Sequence, residues 1–143
     1  MNENLPLGAH LVTPRGWYSH HGIYVGNGRV VHYSGFCNAF HRGPVQEVSV
    51  AEFEYGHGFE IRLHSDARHS PAEIAARARG RLGENRYRLF ANNCEHFCQW
   101  CVTGCARCEQ IEQLLSLPVA IARRAAGAVY ALASLVRLPS ASL

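Results

Sequence analysis

A change of hydrophobic period near residue 70 constrains this chain more than any other feature. Before it lie five short runs rich in β-branched and aromatic residues: "AHLVT" near residue 9, "HHGIYVG" from His20, "RVVHYS" from Arg29, "VQEVSV" from Val45 and "FEIRLH" from Phe59. Gly, Pro and Asn separate them, so they read as strands of an antiparallel meander. From Ser70 the spacing becomes helical. "SPAEIAARARGRLG" offers Ser70 as N-cap, Pro71 at the first helical position, Glu73 at the third, Ile74, Ala78 and Leu82 on one face, and Gly83 as a stop. Strands followed by helices predict an α+β fold in which an antiparallel sheet packs against helices.

A second helix starts inside "FANNCEHFCQWC". Asn92 followed three residues later by Glu95 has the form of a capping box, which puts Asn93 first, Cys94 second and Gly104 at the C-terminal stop. A thiol in a first turn lies among unpaired N–H groups at the positive end of the helix dipole, which favours its thiolate. Cys94, Cys98, Cys101, Cys105 and Cys108 follow steps of four, three, four and three, the pattern of an apolar stripe. Cys98 and Cys101 are expected in the core. The two C-x-x-C pairs in "CQWCVTGCARC" are separated by only three residues, too few for the chain to fold back around a tetrahedral ion, so no metal is expected.

Composition narrows the function classes. With 143 residues the chain suits one compact domain and a short appendage. Its net charge of +3 comes from scattered arginines without a single lysine, which argues against nucleic-acid binding and fits mild attraction to anionic lipid. The first residues lack a basic region followed by an apolar one, so a secretory signal is not expected and a cytoplasmic location with reduced thiols is.

A cysteine nucleophile needs a base, and informative histidines flank a hairpin, "HHGIYVGNGRVVHY". A two-residue Asn27-Gly28 loop would set Ile23 opposite His32 and give His21 its face. A three-residue loop with a bulge would set Gly22 opposite His32 and give that face to His20. The local pattern allows both. His10, His41, His57, His64 and His69 read as hydrogen-bonded structural residues.

Together, "YSHHGIYVGNGRVVHYSG" and "NNCEHFCQWCVTG" resemble the lecithin:retinol acyltransferase (LRAT) family, which includes the H-Ras-like suppressor phospholipase/acyltransferases, over roughly Pro6 to Gly104. The resemblance implies a circularly permuted NlpC/papain-like fold with a nucleophilic cysteine at a helix N-terminus. The family's twelve-position spacing between functional histidines selects His20 with His32. By that carry-over Cys94 is the nucleophile, His20 its base, His32 the group orienting His20, and Tyr18 a contributor to the oxyanion site. Asn93 and His96 belong to the motif as supports of the helix start. The implied activity is that of a thiol acyltransferase or phospholipase A-type hydrolase. It would take an acyl group from a lipid ester, a glycerophospholipid by family preference, and pass it to water, an amine or an alcohol without a cofactor. His21 stands where the family often has an aromatic, and the retinoid-specific insertion is not recognisable. A thiol peptidase or amidase of the NlpC type and a non-catalytic binding module are the alternatives.

Residues 1–110 are expected to form the catalytic domain and residues 111–143 an apolar or amphipathic helical tail. Arg123 and Arg124 interrupt that tail near its centre, each costing about 2.5–3.5 kcal/mol within a bilayer, so "AAGAVYALASLV" is expected to lie peripherally at a membrane or pack on its own domain rather than span.

Overall fold

A computed structural model describes residues 4–38, 41–88, 92–105, 116, 121, 123 and 124. Five strands, β1 (His10–Arg15), β2 (Tyr18–Gly26), β3 (Arg29–Asn38), β4 (His41–Ser49) and β5 (Glu60–Arg62), form an antiparallel sheet in the order β4-β3-β2-β1-β5. The first four strands make the expected meander. β5 returns to pair with β1, which a meander alone does not foresee. Three helices complete the described architecture: α1 (Val50–Glu54), α2 (Pro71–Gly80) and α3 (Cys94–Thr103). The chain divides into two compact units, residues 1–108 and residues 109–143. In the second, Ser116, Ile121, Arg123 and Arg124 are helical, and the "AAGAVYALASLV" run lies outside the described residues. No helix among the described residues is long and apolar enough to cross a membrane.

Two hydrophobic clusters lie on opposite sides of the sheet. Alternation along β2 sends Ile23 toward a layer built from Val31, Tyr33, Ile74, Ala78, Phe97, Cys98 and Cys101, so α2 and α3 cover this side. The other side gathers Leu11, Tyr24, Val30, Val50 and Phe53 beneath α1. Gly22 has a steric reason to lack a side chain: an added Cβ would lie 2.6 Å from Val30 Cγ1 and 2.8 Å from Phe53 Cε2.

Three local expectations are corrected. Val50 belongs to α1 rather than to a strand, because Ser49 and Glu52 form a reciprocal capping box that ends β4. α2 is capped by Ser70 as expected but ends at Gly80, and Leu82 is exposed beyond it. The chain leaves the helix to pair with the sheet edge: the Gly83 N–H donates to Val45 O (2.9 Å) and the Val45 N–H to Glu84 O (2.8 Å). Finally, α3 is capped by Asn93, not Asn92, which makes Cys94 the first helical residue and His96 the third. Asn92 is unavailable as a cap because its backbone is bridged to Arg88 and its side chain is bound to Glu84 Oε1 (3.0 Å) and Arg86 O (3.0 Å).

Candidate functional site

The hairpin sets the histidine register by a combination of the two expected geometries. Asn27 and Gly28 both have positive φ, and Gly26 pairs with Arg29, which is the signature of a two-residue I′ turn. One extra residue of β2 lies between Tyr24 and Gly26, and this bulge shifts the ladder so that Gly22 faces His32. His20 therefore shares a side with His32. Their rings meet edge to face, with His20 Nε2 2.7 Å from His32 Nδ1, and Phe53 packs against both. Gln46 Nε2 lies 3.2 Å from His32 Nε2. Burial, then the neighbouring His32 and Arg15, holds the His20 pKa well below the usual imidazole value. Burial and Arg15 lower that of His32 to about 4. Both rings are neutral at neutral pH, so each can accept a proton.

Tyr18 opens β2 opposite Arg15, its ring 4.9 Å from the Trp17 ring. Trp17 itself is 89% exposed.

Cys94 occupies the first position of α3 and is buried in the cluster that holds Ile23, Val31, Tyr33 and Phe97. The Asn93 side chain accepts from the His96 N–H (3.0 Å), so Asn93 and His96 hold the helix start. Glu95 is 2% exposed and pairs with Arg62 at 2.8 Å. Cys98 and Cys101 are buried as expected. Burial raises the Cys98 thiol well above its usual range and that of Cys101 to about 12, so both stay protonated. Cys105 is exposed, and Cys108 lies outside the described residues. No group of three or more His, Cys, Asp or Glu among the described residues is arranged to hold a metal.

The structure thus brings His20 and His32 together and sets Cys94 in the layer on the other side of β2 and β3. By alternation His21 is the β2 histidine that faces this layer, and reading the motif residue by residue gives it no role. It is buried and forms a chain: His21 Nδ1 lies 2.8 Å from His10 Nε2, and His10 Nδ1 lies 2.8 Å from His64 Nε2. His10 and His64 are hydrogen-bonded, as expected of each alone. What single-residue reasoning missed is that β5, by pairing with β1, gathers all three.

Comparison with known proteins adds an independent finding. The family model "Lecithin retinol acyltransferase" matches residues 3–107, a span that includes both histidine strands and the whole of α3. Human "Lecithin retinol acyltransferase" is 29% identical over 121 residues, covering 66% of this chain. The match takes in 53% of the human protein, so this chain spans about half of that relative's length.

Proposed function

Because this chain belongs to the lecithin retinol acyltransferase family, we propose that it is a cysteine-dependent acyltransferase whose acyl group travels as a thioester on Cys94. The observation that carries the reading is Cys94 at the first position of a capped helix inside the family-matched span. There the first-turn N–H groups lack helical partners and favour negative charge on sulfur, and later on a tetrahedral oxyanion. In this reading the fold is a circularly permuted NlpC/papain-like one. A neutral imidazole takes the thiol proton, the thiolate attacks an ester carbonyl, and the oxyanion collapses to release the alcohol and leave the acyl-enzyme. Water, an amine or an alcohol then accepts the acyl group, so hydrolase and transferase differ only in the acceptor.

Carried over residue by residue, the family pattern would give the base role to His20, oriented by His32 through their 2.7 Å contact, with Tyr18 near the oxyanion, although this pair lies on the side of β2 away from the layer that holds Cys94. His21 is a second candidate for the base, favoured by its place on the side of β2 that faces the α3 layer. The proposed donor is a glycerophospholipid at a membrane surface that the protein meets from the cytoplasm.

Incubating the protein with a diacyl phospholipid and reading its intact mass tests this. An acyl adduct that Cys94→Ala removes is expected. Loss of the adduct in His20→Gln with retention in His21→Gln assigns the base to His20, and the reverse assigns it to His21. Label on another cysteine, or none with any ester, defeats the reading. Cleavage of amides with indifference to lipid would instead mark a thiol amidase, and ligand binding without an adduct a non-catalytic module.

A further inference from the structure

The His64–His10–His21 chain occupies the side of the sheet that the proposed histidine pair does not use. His10 is its centre, 1% exposed, and it spends one ring nitrogen on each neighbour. The two nitrogens of an imidazole point away from each other, so the three rings do not converge on a common point. A row is a different device from a ligand set. Its outer end approaches solvent, where His64 Nδ1 lies 3.9 Å from Oδ1 of Asp66, a residue with a side chain that is 63% exposed. At its inner end, His21 has no exposed surface, and the Glu95 carboxylate beside Cys94 is the nearby charge that raises its pKa against the burial that lowers it. Arg62, on the neighbouring β5, holds that carboxylate and is the cation facing the row.

We infer that His21, His10 and His64 form a proton wire joining the buried start of α3 to solvent at Asp66. Three neutral imidazoles in a row have two self-consistent tautomer sets. In one, His21 Nδ1–H donates to His10 Nε2, His10 Nδ1–H donates to His64 Nε2, and His64 Nδ1–H faces Asp66. In the other, all three protons sit on Nε2 and every donor–acceptor direction is reversed. A proton arriving on His21 Nε2 releases the Nδ1 proton to His10 Nε2. His10 then passes its Nδ1 proton to His64 Nε2, and His64 loses its Nδ1 proton to Asp66 or water. One N–H bond forms and one breaks on each ring. No ring must hold a resting charge in the interior, which makes the path compatible with burial. Its purpose, carrying protons to and from the thiol chemistry of Cys94, rests on the acyl-transfer reading; its existence does not.

The test uses the full chain labelled with nitrogen-15 in its histidines, and reads by NMR the exchange of the His21 ring N–H with water. His10→Gln is the informative variant, because an amide can still bridge two imidazoles but does not relay a proton. Exchange should slow by about a hundredfold or more in His10→Gln, the lower end of what positioned proton transfer contributes, while backbone amides of β2 exchange as before. In His64→Ala, added imidazole should restore the rate. Unchanged His21 exchange in His10→Gln, or slow exchange in the unaltered protein, overturns the wire. Cys94 acylation measured on the same samples separates the two ideas: an absent adduct defeats the acyl-transfer reading and leaves the exchange result standing.

Discussion

Lowering the pH from about 7.5 to about 5 should destabilise this fold by about 4 kcal/mol, through His21 and His32 alone. Burial is the main cause of the depression of both groups, and each has a folded pKa of about 4. In the unfolded chain an imidazole titrates near 6.5. Between those values the unfolded state binds a proton that the folded state refuses. Stability is therefore complete above about 6.5 and is lost as the pH falls toward about 4, the opposite of a histidine stabilised by a carboxylate partner. At pH 5 the free-energy difference is about 2 kcal/mol for each histidine, a large share of the ~5–15 kcal/mol of a typical domain. His10 and His20 are lowered too and act with the same sign. Urea titrations at the two pH values provide the assay. With a slope of ~2 kcal/mol per molar, the midpoint should drop by about 2 M from His21 and His32, and further from His10 and His20. His21→Gln should remove about 2 kcal/mol of the pH-dependent difference, whatever it does to stability at the higher pH. A midpoint that stays constant between the two values, or a pH dependence that His21→Gln leaves intact, would refute the assignment of these rings as buried and neutral.

Two further outcomes follow from packing and capping. Gly22→Ala drives a methyl group into Val30 and Phe53 and should cost about 1–3 kcal/mol in urea melts, with a shift of the His20–His32 ring resonances because Phe53 packs on both. Asn93→Ala orphans the His96 N–H at the start of α3 and should cost about 1 kcal/mol, measured the same way. The cost should be larger than that of the exposed-surface change Trp17→Ala, within ~0.5 kcal/mol of neutral.

Which parts of this arrangement the chain discloses locally depends on how far each determinant reaches. The strands and the start of α2 were legible because alternation, Ser70, Pro71 and Glu73 act within a few residues. The capping box of α1 is equally local, but Val48 and Val50 continue the strand pattern through it, and five residues are too few to show a helical period. The Asn92–Glu95 spacing predicts the α3 cap one residue too early, because local chemistry does not show what else claims Asn92. Glu84, Arg86 and Arg88 claim it, and they are brought to it by the turn that leaves α2. Family resemblance supplied the His20–His32 register for the same reason: the deciding bulge between Tyr24 and Gly26 is compatible with the "GNG" turn but not dictated by it.

The second histidine row was hidden by a longer reach. His10 and His64 are 54 positions apart, and each taken singly is an ordinary hydrogen-bonded histidine. Only the return of β5 to the free edge of β1 aligns them, and the same return carries Arg62 to Glu95. One pairing thus fixes both the row of rings and the carboxylate beside Cys94. Weakening β5 should therefore disturb the start of α3 even where no residue of α3 is changed. Arg62→Met keeps the aliphatic stem but removes the guanidinium paired with a carboxylate that is 2% exposed, and should cost about 3 kcal/mol in urea melts. A loss below ~1 kcal/mol would mean that Glu95 finds water or another donor, and that β5 does not govern the helix start.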